Sequence, residues 1–374
     1  MFAKDINHFV IGRLPRTEEA NSKYGNPDND PRGLWRPDNL SVKSYTASCD
    51  YPIATPSGRV VEPPAGRCWS LSKKAFLERL QDNRIWFGRD GNNVPALKRF
   101  MSELKHDGMA PTSIMFYKEV GHSQEGAQEV TALMEAGIFD GPKPVRLLLR
   151  LLTLANLTED SVVLDFFSGS GTTAHALMKY NVEQNKQCKF IAVQVPQETN
   201  QGGTAAQAGY PNICEIGKER IRRAGAKIAA AAGEKAADLD LGFRCLRLDT
   251  SNMTDVYYAP DAVTQDGLFA QVDNVKADRT PEDLLFQTML DLGILLSSSI
   301  VVEEIAGRRI FNVADGFLLA CFDRDVTDEV VTAIAQRKPY YAVFRDASMA
   351  DDAALTNFDQ LFAAYSPATV RRVL

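Results

Sequence analysis

The 374-residue chain reads as an α/β protein, with part of a Rossmann-like, doubly wound parallel sheet between a loop-rich N-terminal region and a separate C-terminal α+β domain. Three features predict this. An apolar, β-branched run, SVVLDFF over 161–167, leads directly into the glycine turn SGSG and the helical stretch TTAHALMKY. A second apolar run, KFIAVQV over 189–195, follows, and strand, glycine turn, helix, strand is how a parallel sheet with crossover helices begins. Upstream, residues 1–64 are so rich in Pro, Gly, Asn and Asp that only loops and short strands are expected.

Taken in order, the first helical periodicity is in LSKKAFLERLQDN, where Ser72 can cap and Ala75, Phe76, Leu77 and Leu80 form the apolar side. Residues 84–88, RIWFG, read as a short strand and Asp90-Gly91 as a turn. A helix begins at Pro144, in the first helical position, with Val145, Leu148, Leu149 and Leu152 on one face, and ends near Asn156. Both apolar runs of the sheet are expected to be buried strands. A Gln/Gly/Ala-rich loop over 197–209, a helix over 215–232 and a third strand over 243–248 complete this part. The character changes near Tyr257. Beyond it come a helix over 281–295, strands over 301–305, 309–313 and 316–322, a helix over 328–337 and a strand over 340–344.

Hydrophobic side chains make up 45% and charged ones 24%, which suits a globular chain with two or three cores. The longest apolar stretch, 290–302, is broken by Asp291 and by Ser297, Ser298 and Ser299, and falls short of the roughly 20 residues of a membrane span. The opening MFAKDINHFVIG has no secretion-signal pattern, so a cytoplasmic address and no membrane partner are expected. The cysteines are scattered without a C-x-x-C pair, so neither a metal site nor a disulfide framework is expected. A net charge of −6 argues against a nucleic-acid partner, yet residues 1–110 carry 17 Lys and Arg against 13 Asp and Glu. Any DNA should therefore meet the N-terminal third.

Gly169-x-Gly171 with Ala174 fits G-x-G-x-x-A, a pattern that by itself often serves packing alone. Asp165 at the strand end and the sequence Ser-Gly-Ser-Gly-Thr-Thr after two phenylalanines sharpen it. A glycine turn admits a ligand close to the backbone, and the helix start at 171–173 offers N–H groups to an anion such as the carboxylate of S-adenosylmethionine. Asp165 can balance that ligand's ammonium group, and Phe166 and Phe167 can wall the pocket. A Walker loop needs a Lys before the Ser/Thr, and none is present.

LDFFSGSGTTAHA, preceded by FDGPKPVRLLLRLL, resembles the cofactor motifs of β-class DNA amino-methyltransferases, specifically the Mod subunits of type III restriction–modification systems. The resemblance continues, in the same order along the chain, through DNDPRGLWRPDNL, GRCWSLSK, RIWFGRDGNNVPALKRFMSE, FYKEVGHSQEG, FIAVQVPQE, VADGFLLACF and YAVFRD. It implies a partial S-adenosylmethionine-dependent methyltransferase sheet at 136–255, a DNA target-recognition region at 1–135 and an α+β assembly domain at 256–374. It also implies a cofactor pocket of Lys143, Pro144, Asp165, Phe166, Phe167, Ser168, Gly169, Gly171, Thr172 and Thr173. Where many methyltransferases end the second strand with an acid for the ribose hydroxyls, this chain has Gln194, which can still hydrogen-bond ribose. Double-stranded DNA, a second Mod copy and an ATP-dependent restriction (Res) subunit are the partners implied.

One departure concerns catalysis. Enzymes of this resemblance hold the adenine amine with D-P-P-Y or N-P-P-Y, and no such tetrapeptide occurs; the nearest strings begin at Glu62 and Asn26. No catalytic residue and no metal ligand is assigned. The expectation is a portion of a site-specific adenine-N6 methyltransferase that is inactive alone and lacks an N-terminal catalytic half. Its first strand, over 162–166, should then form a sheet edge.

Two readings stand beside this one: a dinucleotide-dependent oxidoreductase, against which Gln194 speaks, and an inactive split-gene remnant that binds DNA or protein only. Lys143 is equally readable as a solvated lysine. Trp35, Trp69 and Trp86 read as structural anchors rather than DNA contacts, and His122 as loop structure. Arg32, Arg36, Lys43 and Arg89 lie in polar loops where phosphate contact is plausible, although surface arginines are usually only solvated.

Overall fold

A computed structural model of the chain describes residues 2–105, 108–254, 274–345 and 352–374, with side chains of the last segment described from 357 onward. It divides into two compact units, Met1–Arg244 and Cys245–Leu374. Both mix helix and strand, the first around several small sheets and the second around one of five strands. The change read near Tyr257 lies outside the described residues.

In the first unit, β1 (Trp35–Asn39), β2 (Ile85–Trp86) and β3 (Ala96–Phe100) form an antiparallel sheet in the order β1-β3-β2. Ile85 and Leu97 are directly paired and join Leu40, Tyr51, Trp69, Phe76 and Phe87 in a core. α1 (Lys73–Gln81) is capped by Ser72, whose Oγ accepts from Ala75 N at 3.4 Å. Of its expected apolar side only Phe76 is buried; Leu77 and Leu80 are exposed. The core beneath is small, and Phe76 against Tyr51, with ring centroids 6.3 Å apart, completes it.

α2 (Ser123–Leu133) is followed by α3 (Val145–Ala155), β4 (Val162–Asp165), α4 (Thr172–Gln184), β5 (Lys189–Ala192) and α5 (Ile213–Ala232). Pro144 is the N-cap of α3, one position before the first helical residue where it was expected, and Asn156 ends the helix in the left-handed conformation. The expected face packs as read: Val145 and Leu152, flanked by Leu148 and Leu149, meet Ala176, Leu177 and Tyr180 of α4. On the other side of α4, Ala174 and Met178 meet Ile221 and Ala224 of α5.

β4 and β5 pair in parallel and form a sheet of two strands among the described residues. Val163 and Phe190 turn toward the helices, whereas Val162, Leu164, Phe166, Ile191 and Val193 are exposed. The expectation of fully buried strands is thus corrected, because helices cover one face only. The expected third strand at 243–248 is not formed. Leu241 and Phe243 instead pack beside α4 and α5, with the Arg222 guanidinium 5.7 Å from the Phe243 ring. The far edge of β4 has no strand partner among the described residues, as the sequence led us to expect.

The second unit matches its reading closely. β6 (Ile300–Ile305), β7 (Arg308–Val313), β8 (Leu318–Cys321), β9 (Tyr341–Phe344) and β10 (Val370–Val373) form one sheet in that order. The pairs are antiparallel up to β8 and parallel from there to β10. α6 (Pro281–Asp291) starts with a capping box between Thr280 and Asp283; α7 (Asp328–Gln336) and α8 (Asp352–Tyr365) follow. One sheet face puts Ile310, Leu319, Cys321 and Phe344 against Val330, Ile334, Phe358 and Phe362. The opposite face puts Phe311, Val313, Leu318 and Val343 against Leu284, Leu285 and Met289. α8 and β10 were not read from the sequence.

Candidate functional site

β4 delivers Asp165 to the mouth of the glycine turn. Its Oδ2 accepts from Thr173 Oγ1 at 2.5 Å and its Oδ1 from Phe167 N at 3.2 Å. Gly169 N donates to Gln194 Oε1 at 2.8 Å, while Gln194 Nε2 donates to Val195 O at 3.1 Å. The turn is thereby tied to both strands. Gly169 has φ +51° and a Cβ there would sit 3.2 Å from the Phe139 ring; Gly171, at φ +75°, would meet Gly217 O of α5 at 3.1 Å. Backbone conformation and packing therefore require both glycines before any ligand is considered.

Beneath the turn lies a charge that the sequence reading missed. Arg220 of α5 is fully buried and donates to Ser170 Oγ and Thr172 Oγ1, each at 2.7 Å. Its Nε and Nη2 have no hydrogen-bond partner among the described residues. Burial pulls its pKa down to about 10. His175, one helical turn into α4, is pushed down to about 4, first by burial and then by Arg220, and is neutral at pH 7. Burial pushes the Glu129 carboxyl up; it accepts from Val145 N at 2.8 Å. A signal existed: Ile216, Gly217, Arg220, Ile221 and Ala224 are one buried helical stripe, and an arginine inside it is not a solvated one.

Asp165, Phe167, Gly169, Thr173 and Gln194 are joined by hydrogen bonds, with Ser168, Gly171 and Thr172 completing the turn. Phe166 and Phe167 are 61% and 78% exposed with ring centroids 5.2 Å apart, an open aromatic wall rather than a closed one. Lys143 is exposed and Pro144 buried, and neither bonds the turn. Gly126 of α2 lets the 142–144 backbone lie close, since a Cβ would come 2.2 Å from Pro142 O. The residues fit an ammonium-bearing, aromatic-containing cofactor: a carboxylate has about four acceptor sites, and Asp165 has two engaged.

The N-terminal sheet carries a second charged group. Lys98 is buried and bonds Asp28, and Asp30 at 3.1 Å, while Arg32 forks onto Asp30 at 2.9 and 2.8 Å. Arg32 holds the Asp30 carboxyl well below the usual carboxylate range. Arg32 also reaches Asp82 at 3.2 Å, so its charge is already paired within the protein, which weighs against the phosphate contact that its loop position allowed. Arg36, Lys43 and Arg89 are exposed. Trp35 and Trp69 are buried anchors as read, and His122 caps α2 by accepting from Glu125 N at 3.3 Å. No disulfide joins the cysteines, and no group of side chains among the described residues could hold a metal ion.

Residues 42–217, from the N-terminal sheet through the glycine turn to the start of α5, match the DNA methylase family. The chain is similar to Mod subunits of type III restriction–modification enzymes: to that of StyLTI from Salmonella typhimurium, 38% identical over 222 residues, covering 59% of this chain and 32% of that protein. It is 33% identical over 241 residues to the EcoPI Mod subunit of Escherichia phage P1, covering 62% of this chain and 35% of that protein. The EcoP15I Mod subunit of Escherichia coli is 30% identical over 148 residues, which are 40% of this chain and 22% of that protein. The chain spans about a third or less of the length of these relatives. The resemblance read from the glycine turn is thus supported by a family match over residues 42–217 around it and by these relatives, and neither the oxidoreductase nor the remnant reading is favoured.

Proposed function

We propose that this chain is the cofactor-binding and DNA-recognising portion of a type III adenine-N6 methyltransferase, with 1–135 meeting DNA, 136–255 holding S-adenosylmethionine and 256–374 serving assembly. The observation that carries it is the turn itself. A strand-end carboxylate, an aromatic wall and the first turn of a 13-residue helix meet there, braced from behind by Arg220. When bound, S-adenosylmethionine supplies an electrophilic methyl group. Asp165 holds the ammonium end, the N-terminus of α4 faces the carboxylate, and Phe166 and Phe167 flank the adenosine. Gln194 spends its amide oxygen on Gly169, so we assign it to holding the turn rather than ribose.

The target amine needs acceptors that this chain does not contain, since D-P-P-Y is absent from it. We assign them to a separate N-terminal half that adds strands to the free edge of β4 and covers the exposed face beside it. Double-stranded DNA, a second Mod copy and a Res subunit are the further partners, and the cytoplasm the compartment; no described helix is long and apolar enough to cross a membrane. The test is co-expression with a half bearing D-P-P-Y. The chain alone is expected to aggregate and to transfer no tritium from labelled cofactor to duplex DNA; with the half, both solubility and transfer should appear. Transfer by the chain alone, or two halves that never associate, overturns the reading.

A further inference from the structure

An open cleft of about 490 Å³ lies on the face of the N-terminal sheet turned away from its core. Its walls are Lys23, Asn26, Trp35, Pro37, Trp86 and Arg89. The segment after Tyr24 is pinned alongside β1 by two backbone bonds between Gly25 and Trp35, 2.9 and 2.8 Å, which makes one wall rigid. Trp35 is buried, fixed through its indole N–H to Asp28 at 2.9 Å, and meets Trp86 edge-on with centroids 5.3 Å apart. Trp86 is partly buried and its indole N–H makes no hydrogen bond among the described residues, so its ring is held against Trp35 and still offered to solvent.

The charged side chains that line the cleft are both basic. Lys23 and Arg89 line it and no carboxylate does. Of the acids next to lining residues in sequence, Asp28 is bonded by Lys98 and Asp38 by Arg99 at 2.9 Å, and Asp90 is exposed beside Arg89. Arg89 is exposed and makes no ion pair among the described residues; Lys23 has only an exposed Glu19 at 3.6 Å, a pair that water and salt screen. A partly exposed indole beside an arginine without an ion pair and a lysine in a solvent-screened one matches one chemistry: an aromatic heterocycle attached to a phosphate.

We propose that this cleft takes one unstacked nucleotide of the DNA, its base laid on Trp86 and its phosphate met by Lys23 and Arg89. The proposal rests on the DNA-recognition reading of 1–135 and names the group within that region that touches the nucleic acid. A base inside a duplex cannot lie on an indole, so the occupant is a nucleotide turned out of the stack or one in a single strand.

The test uses the full chain, together with its catalytic half if that is needed for solubility, and a labelled oligonucleotide followed by anisotropy at several salt concentrations. Trp86→Ala should weaken single-strand binding about ten-fold or more without changing the salt slope, and Trp86→Phe should restore most of it. Arg89→Ala should weaken binding and lower the slope of log K against log salt by about 0.7, the value for one released counterion on a single strand. Both cations are exposed, so Lys23→Ala and Arg89→Ala keep the test open even if Trp86→Ala fails to fold. Binding by the wild type with unchanged affinity in the Lys23 and Arg89 variants overturns the cleft and leaves DNA recognition standing. No DNA binding by the wild type overturns both, and a free mononucleotide that binds as tightly as the oligonucleotide overturns the assignment to a strand.

Discussion

The two units use similar apolar runs differently. In the C-terminal unit LLAC at β8 is buried at every position and sits between strands in a sheet with both faces covered. In the N-terminal unit VVLD at β4 is apolar up to its final Asp165, yet Val162 and Leu164 are 54% and 57% exposed and one strand edge is unpaired among the described residues. An apolar run specifies that a strand expects cover on two faces; it does not say that the same chain supplies it. The first sheet is self-sufficient, and the second is consistent with the completion by another segment proposed above.

The largest expected effect breaks or sharpens that contrast directly. Phe344→Ala, at a fully buried site, should cost about 3–5 kcal/mol in the unfolding of the C-terminal unit. Leu164→Ala in the isolated chain should stay within about 0.5 kcal/mol by the same denaturant titration, and should become costly only when the N-terminal half is added. An equal cost for Leu164 in the isolated chain would mean that its face is already covered.

The next concerns two glycines with positive φ, one in each unit. Gly169→Val places a branched side chain against Phe139 and should abolish the heat of S-adenosylmethionine binding in titration calorimetry. Gly316→Val, at φ +90° with nothing near its Cβ position, should strain its turn and leave that heat unchanged. Equal affinity in the Gly169 variant would place the cofactor elsewhere.

A smaller effect follows from what each core buries. The neutral His175 titrates near 4 when folded and at the ordinary 6.5 when unfolded, so the unfolded chain takes up the proton first. Its contribution is fully present above pH 6.5 and falls away between pH 6.5 and 4, by an amount on the order of 3 kcal/mol. Glu129, raised by burial, works in the opposite sense over the lower part of that range, so the comparison is between wild type and His175→Gln. The N-terminal unit should lose less stability on acidification in the variant; identical pH profiles would mean that His175 is not held neutral.

Much of this was legible in the sequence because it rests on local chemistry. Ser72 as a cap, the face of α3, the glycine turn and the first four strands of the C-terminal unit follow from spacing and turn residues alone. What escaped depends on partners distant in the chain. Arg220 reads as one basic residue in a charged helix until Ser170 and Thr172 are found against it, about fifty positions away. Arg32 reads as a surface arginine until Asp30 and Asp82 close around it. The absent strand at 243–248 failed for the same reason: Leu241 and Phe243 were apolar enough for a sheet, and helix grooves took them instead.

Pro37 gives the N-terminal sheet a polarity of its own. Trp35 bonds outward to Gly25 from the open side of β1, so two residues on, Pro37 turns the same way and has no N–H to offer there. Any visiting strand would find that border closed beyond its first pair. The free border of β4 carries no such block, since none of its residues is a proline. A newcomer scanning these two borders meets one locked door and one open one, and assembly by strand addition in this unit acquires a direction before any side chain is recognised.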